Sequence, residues 1–210
     1  MIKIAHLEPF AGGRKRDCYF HPDDPEKIIK VIPRSKSPEV LMSEKFWLRR
    51  LLQNPESLNA NVAESKRFEV LKAKFGNVSE RIPYLAAYFG KSTTDLGEGL
   101  VFQAVKSFDG SIAKNVVKAS EAGGYDKAIL LSALKRLASH TEDGLIYNDV
   151  GKQNVVVQVL DRHHSKYKLW VVDGIQCGHL IPISDYSATY ANLRKAKKIW
   201  QLKRFIQKNF

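Results

Sequence analysis

The stretch GLIYNDVGKQNVVV, residues 144–157, holds a carboxylate and an amide five positions apart. Asp149 and Asn154 flank a glycine, and three consecutive valines follow directly. A run of β-branched residues after a polar loop predicts a buried strand. The same spacing is also typical of an Asx turn, which only organises its own backbone. The motifs on either side decide between a chemical role and a structural one.

The hydrophobic pattern along the whole chain predicts an α+β protein. The predicted elements are a hairpin over 17–33 with its second strand at 28–32, helices over 37–52 and 59–75, strands 84–89 and 99–105, a polar linker 107–116, a helix over 124–144, strands 154–160 and 168–174, and a basic helix 190–210. We expect two lobes: a β-rich N-lobe at 1–106 and a short helical C-lobe at 107–210.

The charge balance favours an anionic partner. The chain carries 34 Lys and Arg against 22 Asp and Glu, a formal net charge of +12, which suits a nucleotide, an anionic lipid or a phosphorylated glycan. Its aromatic residues are scattered without a stacking platform, so nucleic acid is not an expected partner. Two cysteines without CxxC spacing indicate neither a disulfide framework nor a zinc site. Because neither a signal peptide nor a membrane span is evident, we expect a cytoplasmic protein.

Three motifs, in this order, resemble those of protein kinases. Lys30 lies in IIKVI, points away from its apolar neighbours, and has the place of the lysine that binds ATP phosphates. Asp149 has the place of the residue that orients or deprotonates the attacking hydroxyl, and Asn154 that of a magnesium ligand. VVDG then supplies Asp173 as a second magnesium ligand. The resemblance implies a minimal kinase-like fold that uses ATP and Mg²⁺.

Further residues are assigned to the nucleotide and catalytic sites on the same basis. The glycine-rich loop is reduced to Gly12, Gly13 and Arg14, where close backbone approach to phosphate is still allowed. Arg14 or Arg16 would help to grip the phosphates. In strand 99–105 the predicted nucleotide contacts are Phe102, Gln103 and Val105.

The lysine of the predicted phosphate site needs an acidic partner from a following helix. Glu64 and Glu44 are both available, and we favour Glu64 because its helix leads directly into the next strand. The catalytic lysine expected two residues after the loop aspartate is displaced to Lys152.

Several features depart from the kinase pattern. Tyr147 and Asn148 replace the usual His-Arg ahead of the catalytic aspartate, and the phenylalanine of Asp-Phe-Gly is absent after Asp173. Only 37 residues follow Asp173, which is fewer than an activation segment and a peptide-docking region need. We therefore expect a small or glycan acceptor and not a protein one.

Longer strings resemble the family called PhoP regulatory network protein YrbL, within the kinase-like superfamily. They are GGRKRDCYFHPDDPEKIIKVI (12–32), IPYLAAYFGKSTTDLGEGLVFQAVKSFDG (82–110), NDVGKQNVVV (148–157), VVDG (171–174) and LRKAKKIWQLKRFI (193–206). The resemblance implies phosphorylation of a sugar hydroxyl on a bacterial envelope glycan, such as a lipopolysaccharide core precursor, at the inner face of the cytoplasmic membrane. A pseudokinase or regulatory binding module without phosphotransfer stays open as the alternative.

The segment 190–210 has seven basic residues and no acidic one. On a helix its apolar residues are predicted to share one face and its basic residues the other. The predicted apolar face is Leu193, Ala196, Ile199, Trp200, Ile206 and Phe210, and the basic one is Arg194, Lys197, Lys198, Arg204 and Lys208. Such a helix either packs on the C-lobe or lies against an anionic membrane or phosphorylated glycan.

Overall fold

A computed structural model of the chain describes residues 1–13, 15–43, 59–139, 150–173 and 188–210. The chain forms two compact units, the first made of Met1–Asn77 and Ala87–Ala104, the second of Val78–Ala86 and Val105–Phe210. Each unit combines an antiparallel sheet with helices, which confirms the α+β class. The assignment of 1–106 and 107–210 to separate functional lobes stays a prediction.

The first unit is built on a five-stranded antiparallel sheet in the order β1-β2-β3-β5-β4. Its elements are β1 Ala11–Gly12, β2 Asp17–His21, β3 Asp24–Val31, α1 Pro38–Ser43, α2 Ala60–Phe75, β4 Tyr88–Thr94 and β5 Gly97–Gln103. The β2–β3 hairpin is confirmed. One face of β3 places Ile29 and Val31 in a core cluster with Ile4, Tyr19 and Val101.

Strands β3 and β5 approach each other closely at Gly99, which is paired with Val31. A Cβ atom at Gly99 would lie 2.6 Å from Cγ2 of Ile29 and 3.3 Å from Cγ2 of Val31. These distances are shorter than ordinary carbon contacts. The glycine is therefore required by packing.

The predicted strand at 84–89 is wrong in position, because β4 begins at Tyr88 and continues to Thr94. Gly90, which directly follows the predicted strand, has a φ of 108° and lies at a β-bulge, where the pairing with β5 shifts by one residue. The strand ends only at a tight turn before Gly97, which has a φ of 110°. A bulge glycine and a turn glycine look the same in sequence.

Helix α2 begins at the N-cap Asn59, whose side chain accepts hydrogen bonds from the next helical amides. Its buried face is polar in the first turns, with Asn61, Glu64 and Ser65, and apolar after Phe68. The predicted helix over 37–52 is described only for Pro38–Ser43; the rest of it lies outside the described residues.

The second unit holds a three-stranded antiparallel sheet in the order β6-β7-β8. Its elements are α3 Val78–Arg81, β6 Lys114–Asn115, α4 Val116–Ala122, α5 Lys127–Ser139, β7 Val155–Val159, β8 Tyr167–Val171 and α6 Ala188–Asn209. The β7–β8 hairpin is confirmed. The predicted polar linker 107–116 is wrong, because it contains β6 and leads into α4, which Asn115 caps by accepting from the amide of Lys118 at 2.8 Å.

Helix α6 confirms the predicted basic helix but not its predicted faces. Leu202 and Ile206 are buried, whereas Leu193 and Trp200 are 66% and 55% exposed. The predicted apolar face includes Leu193 and Trp200 and leaves out Leu202, whereas packing against α4 and α5 selects a different side of the helix. No helix in the described part of the chain is both long and apolar enough to cross a membrane.

Candidate active site

The first unit buries an ion pair between β3 and α2. Lys30 is 3% exposed and Glu64 is 0% exposed, with 3.6 Å between Nζ of Lys30 and Oε1 of Glu64. The Lys30 ammonium also lies 4.1 Å from the centroid of the Phe102 ring, a favourable cation–π position. Strand alternation predicts this orientation for Lys30, and the described structure places Glu64 beside it.

Arg16 contributes a second cation that the sequence analysis did not pair with Glu64. Its Nη1 binds Oε2 of Glu64 and donates to Oδ1 of Asn61 at 3.4 Å. Asn61 in turn donates from Nδ2 to the carbonyl of Glu98 at 2.9 Å. The network therefore joins the segment before β2, the first turns of α2 and strand β5. Oε2 of Glu64 faces Arg16, and Oε1 faces Lys30.

An aromatic cluster supports this network from the apolar half of α2. Phe68, one turn after Glu64, stacks on Tyr88 with 4.7 Å between centroids and meets Phe102 edge-on at 5.6 Å. Such pairs have preferred geometries and restrict how α2 can shift against the sheet. The cluster therefore holds the Glu64 carboxylate at a fixed distance from β3.

Burying three charged side chains is costly, because desolvation offsets much of the Coulomb attraction. Within the described residues, Oε1 of Glu64 accepts no hydrogen bond, so the Lys30 contact is electrostatic. A buried and incompletely hydrogen-bonded ion pair is weak as a stability device. Such arrangements are concentrated at functional sites.

The reduced glycine loop forms the β1–β2 hairpin. The Gly13 amide donates to the carbonyl of Arg16 at 2.8 Å, and a Cβ at Gly12 would lie 2.8 Å from Oδ1 of Asp17. Asp17 itself is bound by Lys36 at 2.5 Å. Arg14 lies outside the described residues, and phosphate contact by this loop stays a prediction.

In the second unit, the β7–β8 register brings two predicted magnesium ligands together. The amide of Val172 donates to the carbonyl of Asn154 at 3.0 Å, and Asp173 is the next residue along the chain, two positions after β8 ends at Val171. Both side chains are partly buried. Carboxylate and amide oxygens are ligands that Mg²⁺ accepts. No group of three or more His, Cys, Asp or Glu side chains in the described ranges could hold a metal ion.

The other predicted site residues have varied positions. Phe102 is buried, Gln103 uses its amide and side-chain oxygen to bond Ala87, and the Val105 carbonyl accepts from Ala113 at 2.8 Å. Lys152 is exposed, with its Nζ 4.5 Å from the ring of Phe205 on α6. Asp149 and Glu44 lie outside the described residues. The roles of these residues stay predictions.

Residues 2–209 match the family model described as PhoP regulatory network protein YrbL. The chain belongs to this family. Members named "Uncharacterized protein YrbL", from Escherichia coli K12 and Shigella flexneri, are each 26% identical over 212 residues. Both alignments cover 98% of this chain and 87% of the relative.

Solved structures similar to this YrbL family member are protein kinases. The structure of Rad53 residues 1–466 in complex with AMP-PNP has a TM-score of 0.55 at 12% identity, covering 97% of this chain and 52% of Rad53. The PknI kinase domain of Mycobacterium tuberculosis, in a doubly substituted form, has a TM-score of 0.51 at 13% identity, covering 91% of this chain and 69% of PknI. The fold is therefore that of protein kinase domains.

Proposed function

We propose that this YrbL family member is an ATP- and Mg²⁺-dependent kinase-like phosphotransferase. The observation that carries the proposal is the buried Lys30–Glu64 pair between the third strand of the sheet and the following helix. In protein kinases a Lys–Glu pair at this position must form before phosphoryl transfer. The kinase fold and the AMP-PNP bound to Rad53 support the same assignment.

The residues present suit the proposed nucleotide and metal. Bound ATP would supply the phosphoryl group, and Mg²⁺ would neutralise its developing charge. Lys30 would contact the phosphates, held in position by Glu64. Asn154 and Asp173, neighbours at the ends of β7 and β8, would provide oxygen ligands for the metal. Asp149 would orient the acceptor hydroxyl or accept its proton.

We propose a sugar hydroxyl of an anionic envelope glycan, such as a lipopolysaccharide core precursor, as the acceptor. The net charge of +12 supports an anionic substrate. An enzyme with this substrate would act in the cytoplasm, at the inner face of the cytoplasmic membrane.

One observation favours an alternative, a regulatory module that binds nucleotide without phosphotransfer. Lys152, the displaced counterpart of the catalytic lysine, lies over the Phe205 ring. A lysine engaged by α6 in this way is a weaker candidate for stabilising transferred charge. Activity measurements separate the two proposals.

The decisive experiment compares the parent protein with Asp149→Asn. Calorimetry measures binding of Mg²⁺-ATP, and radiolabelled phosphate follows transfer to a glycan extract. We expect unchanged nucleotide affinity and at least about a 100-fold loss of turnover, because general base catalysis contributes that much. Lys30→Met, which removes the phosphate contact, should weaken ATP binding itself.

Three outcomes bear on this proposal. If neither the parent nor Lys30→Met binds ATP, the nucleotide site is refuted. If the parent binds ATP but neither transfers phosphate nor hydrolyses ATP, the regulatory module is the correct function. Equal turnover of the parent and Asp149→Asn would remove Asp149 from the reaction.

A further inference from the structure

The exposed side of α6 combines apolar and basic side chains in one row. The row, here the outer face, consists of Leu193, Lys197, Trp200, Arg204 and Lys208, all exposed. Their spacings of four, three, four and four residues place them on one side of a helix with 3.6 residues per turn. The row extends over about 22 Å at 1.5 Å per residue.

The opposite side of α6 fixes which way this row points. Leu202 and Ile206 are 2% and 0% exposed within the second unit. Because these two anchors lie about 160° and 120° away from Trp200 around the helix axis, rotation would remove them from the core. The exposure of Leu193 and Trp200 is therefore a consequence of packing.

The charges of the outer face have one sign. Residues 190–210 contain seven Lys and Arg and no Asp or Glu. The guanidinium of Arg204 lies 5.4 Å from the Trp200 ring, so the largest apolar group is directly beside a cation. A surface that complements the row must offer many anionic groups and an apolar layer close beneath them.

We propose that the outer face binds the surface of an anionic lipid bilayer. Trp200 and Leu193 would enter the headgroup region, where amphipathic rings are favoured, and the three basic side chains would meet lipid phosphates. A small soluble phosphate would need convergent donors, whereas these cations are spread along a straight row. A bilayer matches both the apolar and the charged groups. The inference does not depend on the proposed phosphotransfer.

The test uses the full chain with vesicles of phosphatidylcholine alone or with one-third phosphatidylglycerol. Sedimentation measures binding, and a blue shift of tryptophan emission that is absent in Trp200→Phe reports insertion of that ring. Lys197→Glu with Arg204→Glu should weaken binding to the anionic vesicles about 25-fold or more, since each cation contributes roughly fivefold. Leu193→Ser with Trp200→Ser should abolish the binding that remains at high salt, where charge attraction is screened.

The matched control is Lys118→Glu with Lys135→Glu, two exposed lysines on α4 and α5 in the same unit. It changes the net charge by the same amount and should bind nearly as the parent does. The proposal is overturned if the parent protein does not bind anionic vesicles, or if it binds both vesicle types equally. It is also overturned if the control loses as much binding, if millimolar inorganic phosphate displaces the protein, or if Leu193 and Trp200 mediate self-association in sedimentation velocity. Equal melting temperatures of all variants show that the fold is intact.

Discussion

The two units differ in where their polar and charged side chains lie: in the core of the first unit and outside the described core of the second. Every buried polar or charged residue in the described part of the chain belongs to the first unit: Arg16, Lys30, Asn61, Glu64, Ser65 and Thr94. In the second unit the described core is apolar, and Asn154 and Asp173 lie at strand ends with partly exposed side chains. Lys30 and Glu64, the proposed phosphate-site pair, are therefore also core residues. In the second unit, we expect the proposed metal ligands to be replaceable with little loss of stability.

Among the substitutions that test this difference between the units, Glu64→Gln should have the largest effect on the free energy of unfolding. The substitution keeps the size of the side chain but removes the countercharge of Arg16 and Lys30, which should lower the free energy of unfolding by about 3–5 kcal/mol. Urea unfolding measures the change. Glu69→Gln, on an exposed position of the same helix, is the control and should have little effect. Equal stability of the two variants would contradict the buried network.

Comparison of Arg16→Met with Lys30→Met divides the network into a structural and a functional cation. Arg16 makes two close contacts, with Glu64 and Asn61, so its loss should cost about 1.5–3 kcal/mol of unfolding free energy. Lys30→Met retains the contact with Phe102 and should cost about 1 kcal/mol or less. ATP binding should instead be weakened more by Lys30→Met than by Arg16→Met. If Arg16→Met loses ATP binding while Lys30→Met keeps it, the two roles are exchanged.

Asp173→Asn tests the opposite behaviour in the second unit. Because its side chain is at a strand end and not in the apolar core, the free energy of unfolding should change by no more than about 0.5–1 kcal/mol. Mg²⁺-dependent ATP affinity should fall at least about tenfold, since a metal ligand is lost. Asn154→Ala should show a milder loss. Calorimetry with and without Mg²⁺ measures the ATP affinity of both variants. If Asp173→Asn lowered the free energy of unfolding as much as Glu64→Gln does, the expected difference between the units would be contradicted.

The smallest effects concern one hairpin turn in each unit. Amide hydrogen bonds hold the pKa of Asp95 below its usual value, chiefly from Ile4, and hold the pKa of Asp161 down, chiefly from Ser165. A lowered folded-state pKa stabilises the fold above the ordinary carboxyl pKa of about 3.9, and this stabilisation disappears as the pH falls through the lowered pKa. Asp95→Asn and Asp161→Asn should therefore reduce Tm at pH 7 and hardly at pH 2. Equal reductions at both pH values would contradict the assignment.

Local patterns were sufficient for part of the fold and the site. Alternation along β3 predicts the buried face of Lys30, and the valines after Asn154 predict β7. Arg16 was not paired with Glu64, because contact across 48 residues has no periodic signal. The predicted strand 84–89 stops before Gly90, although β4 continues through it, because a bulge and a turn use the same residue. The faces of α6 were wrong because tertiary packing, and not the helix alone, decides which apolar residues are buried.

The close packing at Gly99 has a genetic consequence. Any side chain there would displace Ile29 or Val31, the two residues on either side of Lys30 in β3. In a saturation screen for lost activity, substitutions of Gly99 would group with those of the ligand-binding residues. Second-site suppressors should then appear as smaller side chains at Ile29 or Val31, whereas no suppressor of this kind is expected for Lys30→Met.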